Sequence, residues 1–164
     1  MKKGFIAATI VVLSVFFTCL TVVCAEQKLT ALKVLSCEAS TTQSTDLPQG
    51  EANAGPANAI DNNPTTRWGS EFADNQWLIL QLAKKSNIKK ISISWEKAAA
   101  KAYKVLVSND KETWKEIFST ENSPGGQEDI VLDKAVKAKY VKLDLKTRST
   151  EWGFSIVDIV VMGN

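Results

Sequence analysis

Histidine is missing from this chain of 164 residues. Its absence removes the Ser-His-Asp and Cys-His catalytic arrangements and the commonest zinc ligand together. Cysteine is scarce, and of the three present only Cys37 lies beyond residue 25. With no second cysteine in that part of the chain there is no disulfide framework. Cys37 reads as a small buried apolar residue at the end of the first strand rather than as a reactive thiol. Charge of one sign is lacking as well. Residues 1–25 hold two lysines and no acid, so removing them from the 20 basic residues leaves a balance with the 18 acidic ones. A neutral domain has no clustered positive field to select phosphate backbones, so neither nucleic acid nor an anionic membrane is an expected partner.

Long apolar runs are also absent after the first one. Met1-Lys2-Lys3, the apolar stretch from Phe5 to Val23 and the sequence Val23-Cys24-Ala25 have the order of a secretory signal peptide, with cleavage expected after Ala25. Two other readings of this segment stay open. Cys24 would be the acylated residue of a lipoprotein, and an uncleaved stretch approaches the roughly 20 residues that span a bilayer. The expectation is an exported chain whose residues 26–164 form one domain, large enough for a core without disulfide staples.

From Leu29 onward, short runs rich in Val, Ile, Trp and Tyr alternate with clusters of Asn, Asp, Gly, Pro and Lys. The pattern predicts an all-β fold, with strands near 30–38, 76–83, 88–95, 102–108, 114–119, 128–133, 139–146 and 154–163. Ile88, Ile91, Ile93 and Trp95, then Tyr103, Val105 and Val107, each mark one buried face. Asn109-Asp110 and Ser123-Pro124-Gly125-Gly126 supply turn chemistry between neighbours. Eight such strands in one domain point to a sandwich or barrel, and an antiparallel jelly-roll sandwich is the expected form. Trp68, Trp77 and Trp95 are expected in the core and Trp114 across a strand pair.

The stretch from Ala39 to Thr66 carries no strand pattern, apart from one short helical turn near Pro56 to Ile60, and so long a connection usually has a function. Within it Asp61, Asn62, Asn63, Thr65 and Thr66 crowd oxygen atoms into one loop. That suits a hard cation wanting six to eight oxygen ligands. An Asx-turn with capping hydroxyls explains the same residues equally well. Asp158 stands in the apolar run Ile156-Val157-Asp158-Ile159-Val160, where a buried carboxylate needs a partner.

The run Ala57-Asn58-Ala59-Ile60-Asp61-Asn62-Asn63-Pro64-Thr65-Thr66-Arg67-Trp68, followed by Gln76-Trp77-Leu78-Ile79-Leu80-Gln81-Leu82, resembles the opening of discoidin domains, also called coagulation factor 5/8 C-type domains. Trp95-Glu96 with Tyr103, then Val107-Ser108-Asn109-Asp110 with Trp114, resemble the middle of family 32 carbohydrate-binding modules. Lys139-Tyr140-Val141-Lys142-Leu143 and Arg148-Ser149-Thr150-Glu151-Trp152-Gly153-Phe154 resemble the closing strands. The blocks cover residues 30–163 in order, and the resemblance implies an eight-stranded jelly roll, in agreement with the strand count.

The resemblance further implies a structural calcium held at Asp61, Asn63, Thr66 and Asp158. Asp158 replaces the more usual Glu, and Asn62 replaces Gly but tolerates the left-handed region. It also implies a sugar site on the loops, formed by Glu51, Arg67, Phe72 and Glu96, with Arg148 and Trp152 extending it. A planar guanidinium bridges adjacent hydroxyls and an aromatic ring covers a pyranose face. Galactose-binding members use a histidine that this chain lacks, so a gluco-configured or amino-sugar polysaccharide is the expected partner. Glycoside hydrolysis needs two carboxyl groups facing one bond, and Glu51 with Glu96 would in principle be such a pair. A shallow, watered loop site is poor ground for catalysis, so no enzymatic activity is expected. Adhesion to a protein or lipid through the same loops is the alternative reading.

Overall fold

The computed structural model describes residues 28–47 and 53–164. The expected signal segment and Glu51 lie outside the described residues. Eight strands run in the order β1 Thr30–Ala31, β2 Val34–Ala39, β3 Trp68–Gly69, β4 Gln76–Trp95, β5 Ala100–Ser108, β6 Lys115–Thr120, β7 Gln127–Arg148 and β8 Ser155–Gly163, with a 3-10 helix at Pro56–Ile60. Every pairing is antiparallel.

The two long strands make the sandwich. The first half of β4 pairs with β2 and with the second half of β7, which in turn carries β5 and β6. The second half of β4 pairs with the first half of β7 and with β8, whose ends hold β1 and β3. Register breaks between Gln81 and Ser86 and between Ile88 and Lys90, where β4 passes from one layer to the other. Period-2 alternation then aims one set of side chains inward from each layer. Leu78, Leu80, Leu143 and Val105 meet Ile91, Ile93, Ile156 and Val161, all buried.

Three sequence expectations are corrected here. The runs 76–83 and 88–95 are one continuous strand, as are 128–133 and 139–146, because the intervening lysine-rich residues stay extended through the bend. The first run is broken at Leu32-Lys33 into β1, on β8, and β2, on β4. Trp77 is not in the core: Leu78, Leu80 and Leu82 occupy the inward phase, so Trp77 stands on the outer face. Trp68 and Trp95 are buried as expected.

Cys37 packs against the core, and burial, with the Glu38 charge beside it, pushes its thiol up to about 12. At neutral pH it carries almost no thiolate, the reactive form. Among the described residues no helix is long and apolar enough to cross a membrane.

Candidate functional site

Four connections meet at one end of the sandwich: 40–47, 70–75, 96–99 and 149–154. They are fastened to each other by main-chain bonds. Gln43 N donates to Gly69 O (2.7 Å), Ser70 N to Phe154 O (2.9 Å) and Ser155 N to Ala98 O (2.8 Å). Gln43 Nε2 holds its own loop by donating to the carbonyls of Thr45 and Asp46. Two glycines permit the approach. A Cβ on Gly69 would lie 2.4 Å from Arg67 Nη1, and one on Gly153 would lie 2.4 Å from Ser70 O. A side chain at Gly153 would push back the 70–71 backbone, and one at Gly69 would displace the Arg67 guanidinium and the Gln43 amide.

Between the loops lies a cavity of about 390 Å³. Arg67, Gln43, Ser70 and Ser155 form its inner wall, and Phe72, Trp152, Glu96 and Lys97 its outer wall, with Asp46, Ala98, Gly153 and Phe154 completing the lining. Phe72 and Trp152 meet edge to face, ring centroids 5.4 Å apart and planes at 84°. Such a pair contributes about 0.5–1.5 kcal/mol beyond area burial and holds both rings in place. Trp152 is still 51% exposed, the largest aromatic surface open to solvent among the described residues.

Arg67 is 8% exposed, and its guanidinium donates to Gln43 Oε1 (3.0 Å) and Ser155 Oγ (3.3 Å). A buried cation needs such donors' work satisfied, so this side chain shapes the wall as well as offering an edge to the cavity. The Glu71 carboxylate is directed elsewhere, accepting from Ser44 N and Oγ. Glu96 is half-buried, and its Oε2 accepts from Ala98 N at 3.2 Å.

Of the residues singled out in the sequence, Arg67, Phe72, Glu96 and Trp152 come together in this cavity. Arg148 does not line it. Its Nε donates to Asp74 Oδ1 (3.0 Å) and its Nη1 to the carbonyls of Glu151 (2.8 Å) and Trp152 (3.2 Å). These bonds latch loops 70–75 and 149–154 together. Arg148 N–H and guanidinium together hold the Asp74 carboxyl below its ordinary value. Gln43, Asp46, Ser70 and Lys97 were not foreseen in the sequence. They come from segments without strand pattern or motif, brought in by tertiary contacts alone.

The oxygen-rich loop lies beyond the 3-10 helix. Asp61 Oδ1 accepts from Asn63 N (2.9 Å), and its Oδ2 accepts from Thr66 Oγ1 (2.8 Å). Asn63 Oδ1 accepts from Thr65 N and Oγ1, so its lone pairs are engaged within the turn. Asn62 sits at φ 56°, in the left-handed region. Burial raises the Asp158 carboxyl above its ordinary value and the Asp61 charge adds to this, against hydrogen bonds from Ile159 and Asn62 N–H. Asp61 and Asp158 are thus electrostatically coupled. No group of three His, Cys, Asp or Glu side chains that could hold a metal exists among the described residues, so a cation here would take its other ligands from neutral oxygens.

Comparison with known proteins supplies relatives for this arrangement. Chitosan-binding module 1 of a chitosanase/glucanase from Paenibacillus sp. IK-5 superposes with a TM-score of 0.71 at 31% identity, over 81% of this chain and 97% of that one. Module 2 of the same enzyme, solved in complex with chitotriose, gives 0.69 at 31% identity, over 80% and 97%. The family 32 module of Clostridium perfringens NanJ, in complex with galactose, shares the fold (TM-score 0.68) at 18% identity, over 82% and 99% of the two chains. The polysaccharide lyase 8 family protein HylA of Enterococcus faecalis is 37% identical over 86 residues, 51% of this chain and 6% of the lyase. The profile of the F5/8 type C domain matches residues 39–159, and the chain belongs to that family.

Proposed function

We propose that this chain is a non-catalytic carbohydrate-binding module that takes a gluco-configured or amino-sugar polysaccharide into the cavity at its loop end. The observation that carries the reading is the pairing of Phe72 and Trp152 beside Glu96, Arg67 and Asp46 in one cavity. A pyranose offers an apolar ring face edged by hydroxyls, and an aromatic plane beside a few fixed polar groups matches it. The acids favour ligands rich in hydrogen donors, with the ammonium of an amino sugar the strongest. Two relatives at 31% identity, covered almost completely, are chitosan-binding modules. Glu96 and the exposed Asp46 line a cavity open to solvent, where water weakens the electrostatic stabilisation that turnover relies on, and this supports binding without turnover.

A calcium ion held by Asp61 and Asp158, with oxygens of Asn63 and Thr66, would neutralise two coupled carboxylates and fix the loop that leads into Arg67. Export through the N-terminal segment would place the module where polysaccharides are found. A glycan array on the purified chain, with calcium and with chelator, tests the reading. Signal confined to β-linked glucose or glucosamine polymers is expected, whereas silence on all glycans together with capture by lipid or protein surfaces would favour adhesion through the same exposed ring.

A further inference from the structure

A second depression, of about 290 Å³, borders the first and shares Glu96 and Lys97 with it. Trp95 and Ala99 line its base, and Ser123, Gly125, Gly126 and Ser149 stand around it. The turn that walls it is fixed. Glu128 accepts hydrogen bonds from Trp95 Nε1 (2.6 Å), from Tyr103 Oη (3.0 Å) and from Ser123 Oγ. Trp95 N donates to Gly126 O (2.8 Å), and Ser123 N donates to Lys101 O (2.9 Å). Gly125 and Gly126 take φ 68° and 66°, which leaves a stretch of wall without side chains.

The polar groups around this depression are also set. Ser149 Oγ donates inward to Ala99 O (2.9 Å), so its oxygen is left as an acceptor. Glu96, held by Ala98 N, stands on the ridge between the two depressions. A wall already ordered before binding costs little further entropy when a ligand lies on it.

We infer that the second depression is a subsite for the next sugar of the chain whose neighbour fills the first, so that the ligand is a linear oligosaccharide crossing the Glu96–Lys97 ridge. This rests on the carbohydrate-binding reading above. The subsite takes a pyranose that presents hydroxyl or amino hydrogens toward Glu96 and Ser149 and lays its less polar edge along Gly125 and Gly126.

Titration calorimetry with glucosamine and glucose oligomers of one to four sugars tests it, using the intact chain and Gly126→Asn. Gly126 has positive φ, which asparagine tolerates better than other side chains, and a Cβ at this position meets nothing within 4 Å, so the variant adds bulk at the rim at a small backbone cost that a thermal melt of the variant measures. In the wild type the dissociation constant should fall at least tenfold between one sugar and three, and Gly126→Asn should abolish that gain while leaving the single-sugar affinity within twofold. Equal affinity at every length in the wild type, or an unchanged length dependence in the variant, would overturn the subsite and leave the first cavity's reading intact. No binding of any oligomer by the wild type would overturn both.

Discussion

At the loop end Phe72 and Trp152 pack against each other beside a cavity; on the outer face of the layer that holds β2, β5 and β6, Trp77, Trp114 and Tyr140 lie beneath ammonium groups. Lys142 Nζ stands 5.8 Å from the ring centroids of both Trp77 and Trp114, while Lys111 and Lys139 flank Tyr140 at 5.4 and 5.6 Å. Both regions hold aromatic side chains outside the core. They differ in what covers the rings. On the sheet face a lysine stem shields each ring and contributes about 0.5–1 kcal/mol of cation–π attraction. At the loop end Trp152 meets Phe72 edge to face and stays 51% exposed beside a cavity. Aromatic content alone therefore does not favour a ligand site; an exposed ring at the mouth of a cavity does.

The largest expected effect that sharpens this contrast is at Trp152. Trp152→Ala should weaken oligosaccharide binding at least tenfold, about 1.4 kcal/mol, while lowering the melting temperature by only a few degrees through the lost ring pair, as calorimetry and a thermal melt would report. Next is the cation. Chelation should lower the melting temperature by several degrees and calcium should restore it, since a ligand bound only to the folded state stabilises it by mass action. A melt indifferent to both would remove calcium from the account. Asp74→Asn, which breaks the latch to Arg148 without touching the cavity, should cost several-fold in affinity through a displaced Trp152, with rather little change in stability.

On the sheet face the expectation reverses. Trp77→Ala should leave sugar affinity unchanged and cost roughly 1 kcal/mol in stability, read by denaturant titration. The smallest effect concerns the turn that carries Trp114. Asp110 accepts from Glu112 N, Thr113 N and Ser108 Oγ, and these bonds lower its carboxyl from 3.8 to about 2. A depressed folded-state value adds stability above the ordinary carboxylate range that is lost as pH falls toward 2. Wild type and Asp110→Asn should therefore differ at neutral pH and converge below pH 2.

The layers of this fold were legible because alternation survives almost everywhere. Ile91, Ile93 and Trp95 share one phase and are buried together. The same rule, applied to Leu78, Leu80 and Leu82, would have placed Trp77 outside; side-chain size argued for the core and phase decided otherwise. Strand ends were less legible, since Lys84-Lys85-Ser86-Asn87 has turn composition yet stays extended where β4 changes layers. Arg67, Phe72, Glu96 and Trp152 carried motifs, and the fold brings them to one cavity. Gln43 and Ser70 pack where glycines admit close approach and Asp46 is held through Gln43, a property of three-dimensional approach that no local pattern encodes. Arg148 sits in a recognisable motif, and its hydrogen bonds join the loops.

The five tryptophans each carry one indole N–H, which gives a direct assay of the contrast. Titration of the isotopically labelled chain with a glucosamine or glucose tetramer, followed by proton–nitrogen correlation spectra, should shift the Trp152 indole signal progressively and leave those of Trp77 and Trp114 in place. Movement of Trp77 and Trp114 with a stationary Trp152 would contradict the account and move the ligand to the sheet face.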